Sequence, residues 1–179
     1  VLGALQSRTQ AQSTPTIRLS PDGKYLIDPN GNPVFMAGDA AWSLIVQGTR
    51  ADADLYISNR ISKGINVLLV NLIDKVFCQN CPNNIYNDPP FTTPGNFITT
   101  AGATNYWAHA DYVIGKARDA GVTLLLAPIY LGWDCSGAQG WCPEVQASST
   151  AAMRSYGEFL GNRYKNYPNI IWIIGGDTN

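Results

Sequence analysis

Residues 104–129 read TNYWAHADYVIGKARDAGVTLLLAPI, and this stretch decides the fold class. Its first half predicts a helix capped by Thr104, because apolar residues recur at the spacing of one helix face. Gly121 ends that helix. The run Val122–Ile129 is almost wholly apolar, which is typical of a strand buried on both faces of a parallel sheet. The helix stripe consists of Tyr106, Ala110, Val113, Ile114 and Ala117. The stretch therefore predicts one helix–strand unit.

A second unit of the same kind precedes it. Thr49 with Asp52 three residues later predicts a capping box at the start of a helix. The apolar positions of that helix are Ala53, Ile57 and Ile61. It ends at Gly64, and the largely apolar Asn66–Ile73 follows as a buried strand.

A third unit follows. Ser149 is placed to cap a helix, Pro168 blocks its continuation, and Ile170–Ile174 predicts a further buried strand. The apolar positions of this helix are Met153, Tyr156, Leu160, Tyr164 and Tyr167.

The N-terminal part differs in character. Residues 1–15 are mostly polar and predict a flexible arm, although their apolar start is compatible with the remnant of a signal peptide. Two short strands, Ile17–Leu19 and Lys24–Ile27, flank the turn Pro21–Gly23 and predict a hairpin. Pro33–Gly38 then predicts the first short buried strand of the main sheet.

The order β-α-β-α-β-α-β predicts an α/β architecture with parallel strands. Residues 38–42, Gly-Asp-Ala-Ala-Trp, contain neither a dinucleotide-binding glycine pattern nor a P-loop, which disfavours a nucleotide-binding sheet. The alternative is the N-terminal half of a (β/α)8 TIM barrel, spanning residues 16–179. A complete barrel needs eight strands and ~250 residues, so we expect the C-terminal half to be absent from this chain.

Composition excludes several classes of function. Hydrophobic residues make up 45% of the chain and charged residues 14%, which argues against disorder. The formal net charge of −1 offers no basic field for nucleic acid or an anionic membrane. The longest apolar runs fall short of the ~20 residues that a bilayer requires. A neutral partner fits best, and we expect no metal or organic cofactor.

Four cysteines form two close pairs in loop-like segments, Cys78 with Cys81 and Cys135 with Cys142. Loop cysteines in even number favour disulfides and a secreted, extracellular or periplasmic location. A redox or zinc motif is the other interpretation of the Cys-x-x-Cys pair. The sequence leaves the disulfide connectivity open.

Polar and aromatic side chains follow each predicted strand of the main sheet. Because active sites of barrels lie at the C-terminal ends of the strands, these side chains form the candidate site. They are Asp39 and Trp42 after the first strand, Asn71 and Asp74 after the second, Tyr130, Trp133 and Asp134 after the third, and Asp177 and Asn179 after the fourth.

This set suits a carbohydrate. Carboxylates and amides bind sugar hydroxyls, aromatic rings stack on sugar rings, and glycoside cleavage needs two carboxyl groups. One of the two must keep its proton near neutral pH, which burial favours. Asp177 follows five apolar residues and two glycines, so we expect it to be buried.

Three stretches resemble the apiosidase-like glycoside hydrolases. They are FMAGDAAW at 35–42, KGINV at 63–67, and above all NIIWIIGGDTN at 169–179. The resemblance covers about residues 19–179. It implies a (β/α)8 barrel related to the large clan of retaining glycosidases, in which the acid/base follows strand four and the nucleophile strand seven.

Carried onto this chain, the resemblance places Asp177 at the acid/base position and Asp39 and Trp42 in the sugar-binding pocket. The wider clan ends strand four with Asn-Glu, whereas this chain has Gly-Asp, as the apiosidase-like branch does. Thr178 stands where many relatives carry a basic residue. No strand-seven nucleophile is present, so we expect the chain alone to be inactive. We also expect it to bind its missing half or to self-associate through open sheet edges.

Other interpretations of these residues stay open. Asp177 also suits a helix N-cap, and Asp39 can brace a turn. Aromatic side chains of the loops can pack the loops instead of a substrate, and this applies to Tyr130, Trp133 and Trp141. Trp172 is expected to face the core or a helix, and His109 to be a helix residue without a catalytic role. At the level of the protein, the alternative to an enzyme is a non-catalytic carbohydrate-binding or self-assembling scaffold.

Overall fold

A computed structural model describes residues 17–92, 97, 105–135 and 139–177. The arm 1–15, the capping residue Thr104 and the candidate Asn179 lie outside the described residues. The elements in chain order are β1 (Arg18–Leu19), β2 (Leu26–Ile27), β3 (Gly38–Ala40), α1 (Leu44–Gln47), α2 (Arg50–Ser62), β4 (Val67–Asn71), α3 (Asn105–Asp119), β5 (Thr123–Ala127), α4 (Cys142–Ala147), α5 (Thr150–Tyr164) and β6 (Ile170–Trp172).

The main sheet has four parallel strands in the order β3-β4-β5-β6. Sequential strands are therefore neighbours, as in one arc of a barrel. The register pairs Asp39 with Leu68, Leu68 with Leu124, and Leu124 with Ile170. This arrangement confirms the predicted parallel α/β fold. The hairpin is also confirmed, since β1 and β2 pair in antiparallel fashion.

The two faces of the sheet differ in burial. Leu68, Val70, Leu124 and Leu126 are fully buried against the helices. Alternate residues of a strand point to the opposite, inner face. There Leu69 and Leu125 are only half-buried, and their neighbour Ile171 on β6 is 38% exposed. Just past the end of β6, Ile173 is 36% and Ile174 76% exposed. The expected burial on both faces is therefore wrong for the fourth strand. The helices of the described chain cover only the outer face.

Local sequence signals account for the helices. The capping box of Thr49 and Asp52 forms at the start of α2, and Ser149 accepts a hydrogen bond from the Ala152 amide at the start of α5. The five stripe residues of α3 are all buried. Gly64 and Gly121 follow α2 and α3 with φ of 80° and 74°, a conformation that favours glycine. In α2, Ile61 is 40% exposed and does not join the buried stripe.

The first sheet strand lies later than predicted. It spans Gly38–Ala40, whereas Pro33 makes only an isolated bridge to Ile27, and Phe35 is 83% exposed. The side chain of Asn66 explains the shift. Its Oδ1 accepts from the Ala37 amide at 2.9 Å and its Nδ2 donates to the Phe35 carbonyl at 2.8 Å. The Asn66 side chain thus binds the backbone just before β3, in addition to the backbone bonds that the amides of Asn66 and Val67 donate to the Ala37 carbonyl.

The cysteines form two disulfides, Cys78–Cys81 and Cys135–Cys142, with Cα–Cα distances of 5.3 and 5.1 Å. The first lies in the loop after β4, and the second joins the loop after β5 to α4. The predicted disulfides are therefore present in the structure. In the described part of the chain, no helix combines the length and apolar character needed to cross a bilayer.

Candidate active site

A cavity of about 460 Å³ opens at the C-terminal end of the parallel sheet. Its described lining residues are Asn71 at the end of β4 and residues from the segments that follow β3, β4, β5 and β6. They are Trp42, Ser43, Asn71, Phe77, Tyr130, Gln139 and Asp177. The sheet topology therefore brings side chains more than 130 positions apart in sequence to one hollow.

Backbone contacts beyond the strand ends place Asp177 beside Tyr130. Tyr130 and Gly175 form a parallel bridge, and the Asp177 amide donates to the Gly132 carbonyl at 3.0 Å. Gly176 permits this approach, since a Cβ at its position would collide with the carbonyl oxygen of Gly132. The Tyr130 hydroxyl donates to Asp177 Oδ2 at 2.9 Å. Burial, and then this hydrogen bond, raise the pKa of the Tyr130 phenol, so it stays a donor.

Asp177 itself is exposed, which contradicts the burial expected from sequence. The physical reason lies in the preceding strand. Ile171, Ile173 and Ile174 are themselves exposed, so the apolar run that precedes Asp177 is not covered by other elements of the described chain. Asp177 is the only charged side chain among the described residues that line the cavity.

Asn71 is the buried polar group of the cavity. Its side chain is 1% exposed, and its Oδ1 has no hydrogen-bond partner in the described chain. Its backbone is fixed, because the Asn71 amide donates to the Trp42 carbonyl at 2.8 Å. A buried acceptor without a donor costs free energy, so this oxygen is an unsatisfied polar group beside the cavity.

Trp42 and Tyr130 form an aromatic wall. Their ring centroids lie 5.8 Å apart with an interplanar angle of 52°, and Trp42 is 38% exposed. Two rings held at this tilt offer apolar surface to a ligand while the Tyr130 hydroxyl remains engaged by Asp177.

Asp74 is not among the described residues that line the cavity, but it binds the turn that carries one of them, Phe77. It is 2% exposed, and its Oδ1 accepts from the amides of Lys75, Val76 and Phe77. The hydroxyl of Ser43 lies 3.2 Å from Asp74 Oδ2 and 2.8 Å from the Phe77 carbonyl. Asp74 therefore shapes the turn that presents Phe77 to the cavity.

The loops after β4 and β5 are tied together by Lys75. Its Nζ lies 2.6 Å from Glu144 Oε1 and 3.1 Å from the carbonyl of Gly140. Gly140 follows Gln139 and lies within the segment closed by the second disulfide. An ion pair and a hydrogen bond of Lys75 thus link the two loops at the cavity rim, and each disulfide closes a short segment on one side of that link.

Asp39 is not at this site. Its carboxylate accepts from Arg60 Nη1 at 2.7 Å and from the Tyr56 hydroxyl at 2.9 Å, both on α2. The hydrogen bonds from Arg60 and then Tyr56 hold the pKa of Asp39 below its usual value. Its register partner Leu68 also faces the helices, so strand alternation directs Asp39 away from the cavity. The expectation that Asp39 lines the sugar pocket is wrong.

The remaining aromatic candidates, Trp133, Trp141 and Trp172, lie in three different environments, and none of them is among the described residues that line the cavity. Trp133 is 57% exposed and is not among the described cavity residues. Trp141 is 3% exposed and packs edge-on against Phe91 and Phe97, so it belongs to the loop core. Trp172 faces α5, with its ring 6.2 Å from that of Tyr164, as expected.

Sequence reasoning missed Ser43, Phe77 and Gln139 as cavity residues. Ser43 adjoins Trp42 in sequence, which is a signal that could have identified it. Phe77 and Gln139 lie in irregular loops, where neither helical nor strand periodicity indicates the direction of a side chain.

Comparison with known proteins identifies the family. The model of the apiosidase-like catalytic domain matches residues 20–179. The chain belongs to the apiosidase-like family. Among curated proteins, no sequence matches it.

Solved structures agree with this apiosidase-like membership. A protein described as a glycoside hydrolase matches with 32% identity and a TM-score of 0.72, over 92% of this chain and 34% of its own. A glycoside hydrolase family 5 protein from Bacteroides vulgatus matches with 31% identity and a TM-score of 0.73, over 90% and 32%. An endo-1,4-β-mannanase from Rhizomucor miehei shares the fold at 16% identity and a TM-score of 0.60, over 84% and 46%. The chain spans about a third of the length of the first two.

Proposed function

We propose that this chain carries the acid/base half of a retaining glycoside hydrolase, with Asp177 as the general acid/base. The observation that supports the proposal is the convergence of Asp177, Asn71, Trp42 and Tyr130 on one cavity at the C-terminal end of the sheet. Membership of the apiosidase-like family supports it independently.

Each side chain has a chemical role in this proposal. Asp177 donates its proton to the glycosidic oxygen as the bond to the anomeric carbon breaks, and later takes a proton from the attacking water. Tyr130 positions the carboxyl group through its hydrogen bond. Asn71 Oδ1 accepts from a sugar hydroxyl, and Trp42 stacks on the sugar ring.

A second carboxyl group is required, and the described residues do not place one in the cavity. We infer that the nucleophile comes from β/α units that complete the barrel and cover the half-exposed inner face of the sheet. These units would also cover the exposed Asp177. They are either a continuation of the same protein or a separate chain.

The substrate in this proposal is a neutral plant or algal polysaccharide. No cationic side chain is among the described cavity residues, so an anionic sugar gains no ion pair there. Two loop disulfides at the rim suit a secreted enzyme.

The test is Asp177→Asn in the full-length protein. We expect a loss of at least 100-fold in kcat/KM on substrates with poor leaving groups, and a much smaller loss on activated aryl glycosides, which need little protonation. Asp39→Asn is the matched control, because it removes a carboxylate outside the cavity. An equal loss on both substrate types would contradict the acid role.

A second candidate is a non-catalytic carbohydrate-binding or self-assembling scaffold. The exposure of Asp177 and the open inner face favour it. In that case, glycan binding or assembly would survive Asp177→Asn, and the full-length protein would hydrolyse no glycoside. The two functions are thus distinguished by the same variant.

A further inference from the structure

A second cavity, the Tyr86 groove, opens outside the sheet. It has a volume of about 460 Å³ and lies between the first turns of α2 and α3. Its described lining residues are Arg50, Tyr86, Asp88, Asn105, Ala108 and His109. Because α2 and α3 each follow a sheet strand and run back along the sheet, their first turns lie at the same end of the fold as the active-site cavity.

Tyr86 presents a fixed aromatic surface in this groove. It is 49% exposed, although its hydroxyl accepts from the Arg50 amide at 2.9 Å. Its ring packs edge-on against His109 with centroids 5.2 Å apart. The preceding turn is anchored by Asn84, which is fully buried and accepts from the amides of Tyr86 and Asp88. The hydroxyl, the ring and the backbone of Tyr86 are thus each held by a neighbour. An exposed ring held in this way can stack on a ligand with little loss of side-chain freedom.

The charges around the groove cancel. Arg50 and Asp88 contribute one charge of each sign, and Asn105 contributes a neutral amide. Burial lowers the pKa of the His109 imidazole more than its interaction with the Gly48 backbone raises that pKa. His109 is therefore uncharged at neutral pH. Ala108, which also lines the groove, adds only a methyl group. An aromatic face bordered by a guanidinium, a carboxylate and an amide matches an uncharged ligand with many hydroxyl groups.

We propose that the Tyr86 groove is a second glycan-binding site, which holds a neutral polysaccharide segment apart from the cavity of Asp177. One sugar ring stacks on Tyr86, and its hydroxyls bind Arg50, Asp88 and Asn105. The proposal rests on the proposed function, since the glycan is the same polysaccharide that the active site would cleave. The groove would hold a long chain near the catalytic cavity.

The test is affinity electrophoresis of the full-length protein in gels that contain galactomannan, arabinoxylan or, as an anionic comparison, polygalacturonate. We expect at least one neutral polysaccharide to retard the protein, and Tyr86→Ala to weaken that binding at least five-fold. Tyr25→Ala is the matched control, because Tyr25 is also 49% exposed but lies on the hairpin. Hydrolysis of a small aryl glycoside should stay within two-fold of the wild type, since such a substrate needs only the active-site cavity.

The Tyr86 hydroxyl accepts a hydrogen bond from the first residue of α2, so Tyr86→Ala can also affect folding. A second variant therefore tests the groove without removing Tyr86. Ala108→Leu fills the groove and leaves Tyr86 in place, and thermal unfolding reports whether each variant is folded. Three results would overturn the second site. They are wild-type binding by the folded variants, loss of binding with Trp42→Ala alone, and tightest binding to polygalacturonate. The same is true if no neutral polysaccharide binds. Activity on the aryl glycoside separately decides the proposed function.

Discussion

The hydroxyl of Tyr130 donates a hydrogen bond to Oδ2 of Asp177 at 2.9 Å, although the two residues are 47 positions apart. The contact exists because pairing between the third and fourth strands of the main sheet resumes past their ends, at Tyr130 and Gly175. The residue that carries the proposed acid chemistry is therefore oriented by its neighbouring strand and not by its own loop.

Tyr130→Phe tests this relationship in the full-length protein. The substitution keeps the ring that packs on Trp42 and removes only the hydroxyl. A hydrogen bond to a charged group contributes about 1.5–3 kcal/mol, so we expect kcat to fall at least ten-fold with little change in KM. Tyr156→Phe is the control, since its hydroxyl donates to the Pro128 carbonyl inside the core. That variant should lose stability and keep its kcat. A Tyr130→Phe enzyme with wild-type kcat would contradict the positioning role.

Asn71→Leu separates binding from stability. The buried Oδ1 of Asn71 lacks a partner within the described chain, and an apolar side chain of similar size removes that unsatisfied acceptor. We expect the free energy of unfolding to stay unchanged or rise by about 1 kcal/mol. If the oxygen accepts from a sugar hydroxyl, KM should rise about ten-fold, which corresponds to about 1.4 kcal/mol. Chemical denaturation and steady-state kinetics measure the two effects. A variant that loses stability but binds substrate normally would show that Asn71 is structural.

The three long helices α2, α3 and α5 and the strands that follow them could be predicted from sequence because local cap or stop residues mark them. The short helices α1 and α4 have no side-chain cap hydrogen bond and were not predicted. Thr49, Ser149 and Gly121 act within a few positions of where they stand, so short-range chemistry decides them. The residues after the strands were also correctly placed at one end, and Trp42, Asn71, Tyr130 and Asp177 do share the cavity.

The direction of individual side chains could not be predicted. Asp39 was expected just after the first sheet strand, but it is the middle residue of β3 and its register position faces α2, where Arg60 binds it. That register begins after a hydrogen bond from the Ala37 amide to the Asn66 side chain, a contact across 29 positions that the local sequence does not reveal. The predicted burial of Asp177 was wrong for a similar reason. A run of apolar residues indicates that a strand tends to be buried, but it does not show which other element covers it.

Asp39 predicts a pH dependence of stability. Its folded-state pKa is lowered by Arg60 and Tyr56, so the ion pair contributes stability above the usual Asp range and loses it as pH falls through the lowered value. We expect Asp39→Asn to lower Tm at pH 7 and the difference from the wild type to shrink steadily below about pH 4. Thermal unfolding from pH 7 to pH 2 measures this. A difference in Tm that is independent of pH would mean that the carboxylate charge does not stabilise the fold.

The 179-residue chain prepared alone should self-associate and show no glycosidase activity. The apolar side chains of Ile171, Ile173 and Ile174, in and just after β6, are exposed, and both edge strands of the sheet are unpaired in the described chain. We expect light scattering to report a mass that rises with concentration, and Ile173→Lys with Ile174→Lys to return it toward the monomer. Leu55→Lys is the control, because Leu55 is 70% exposed on α2 and away from the inner face. A monodisperse monomer across the concentration range would show that the open sheet face does not drive association, and glycosidase activity of that monomer would remove the need for further β/α units.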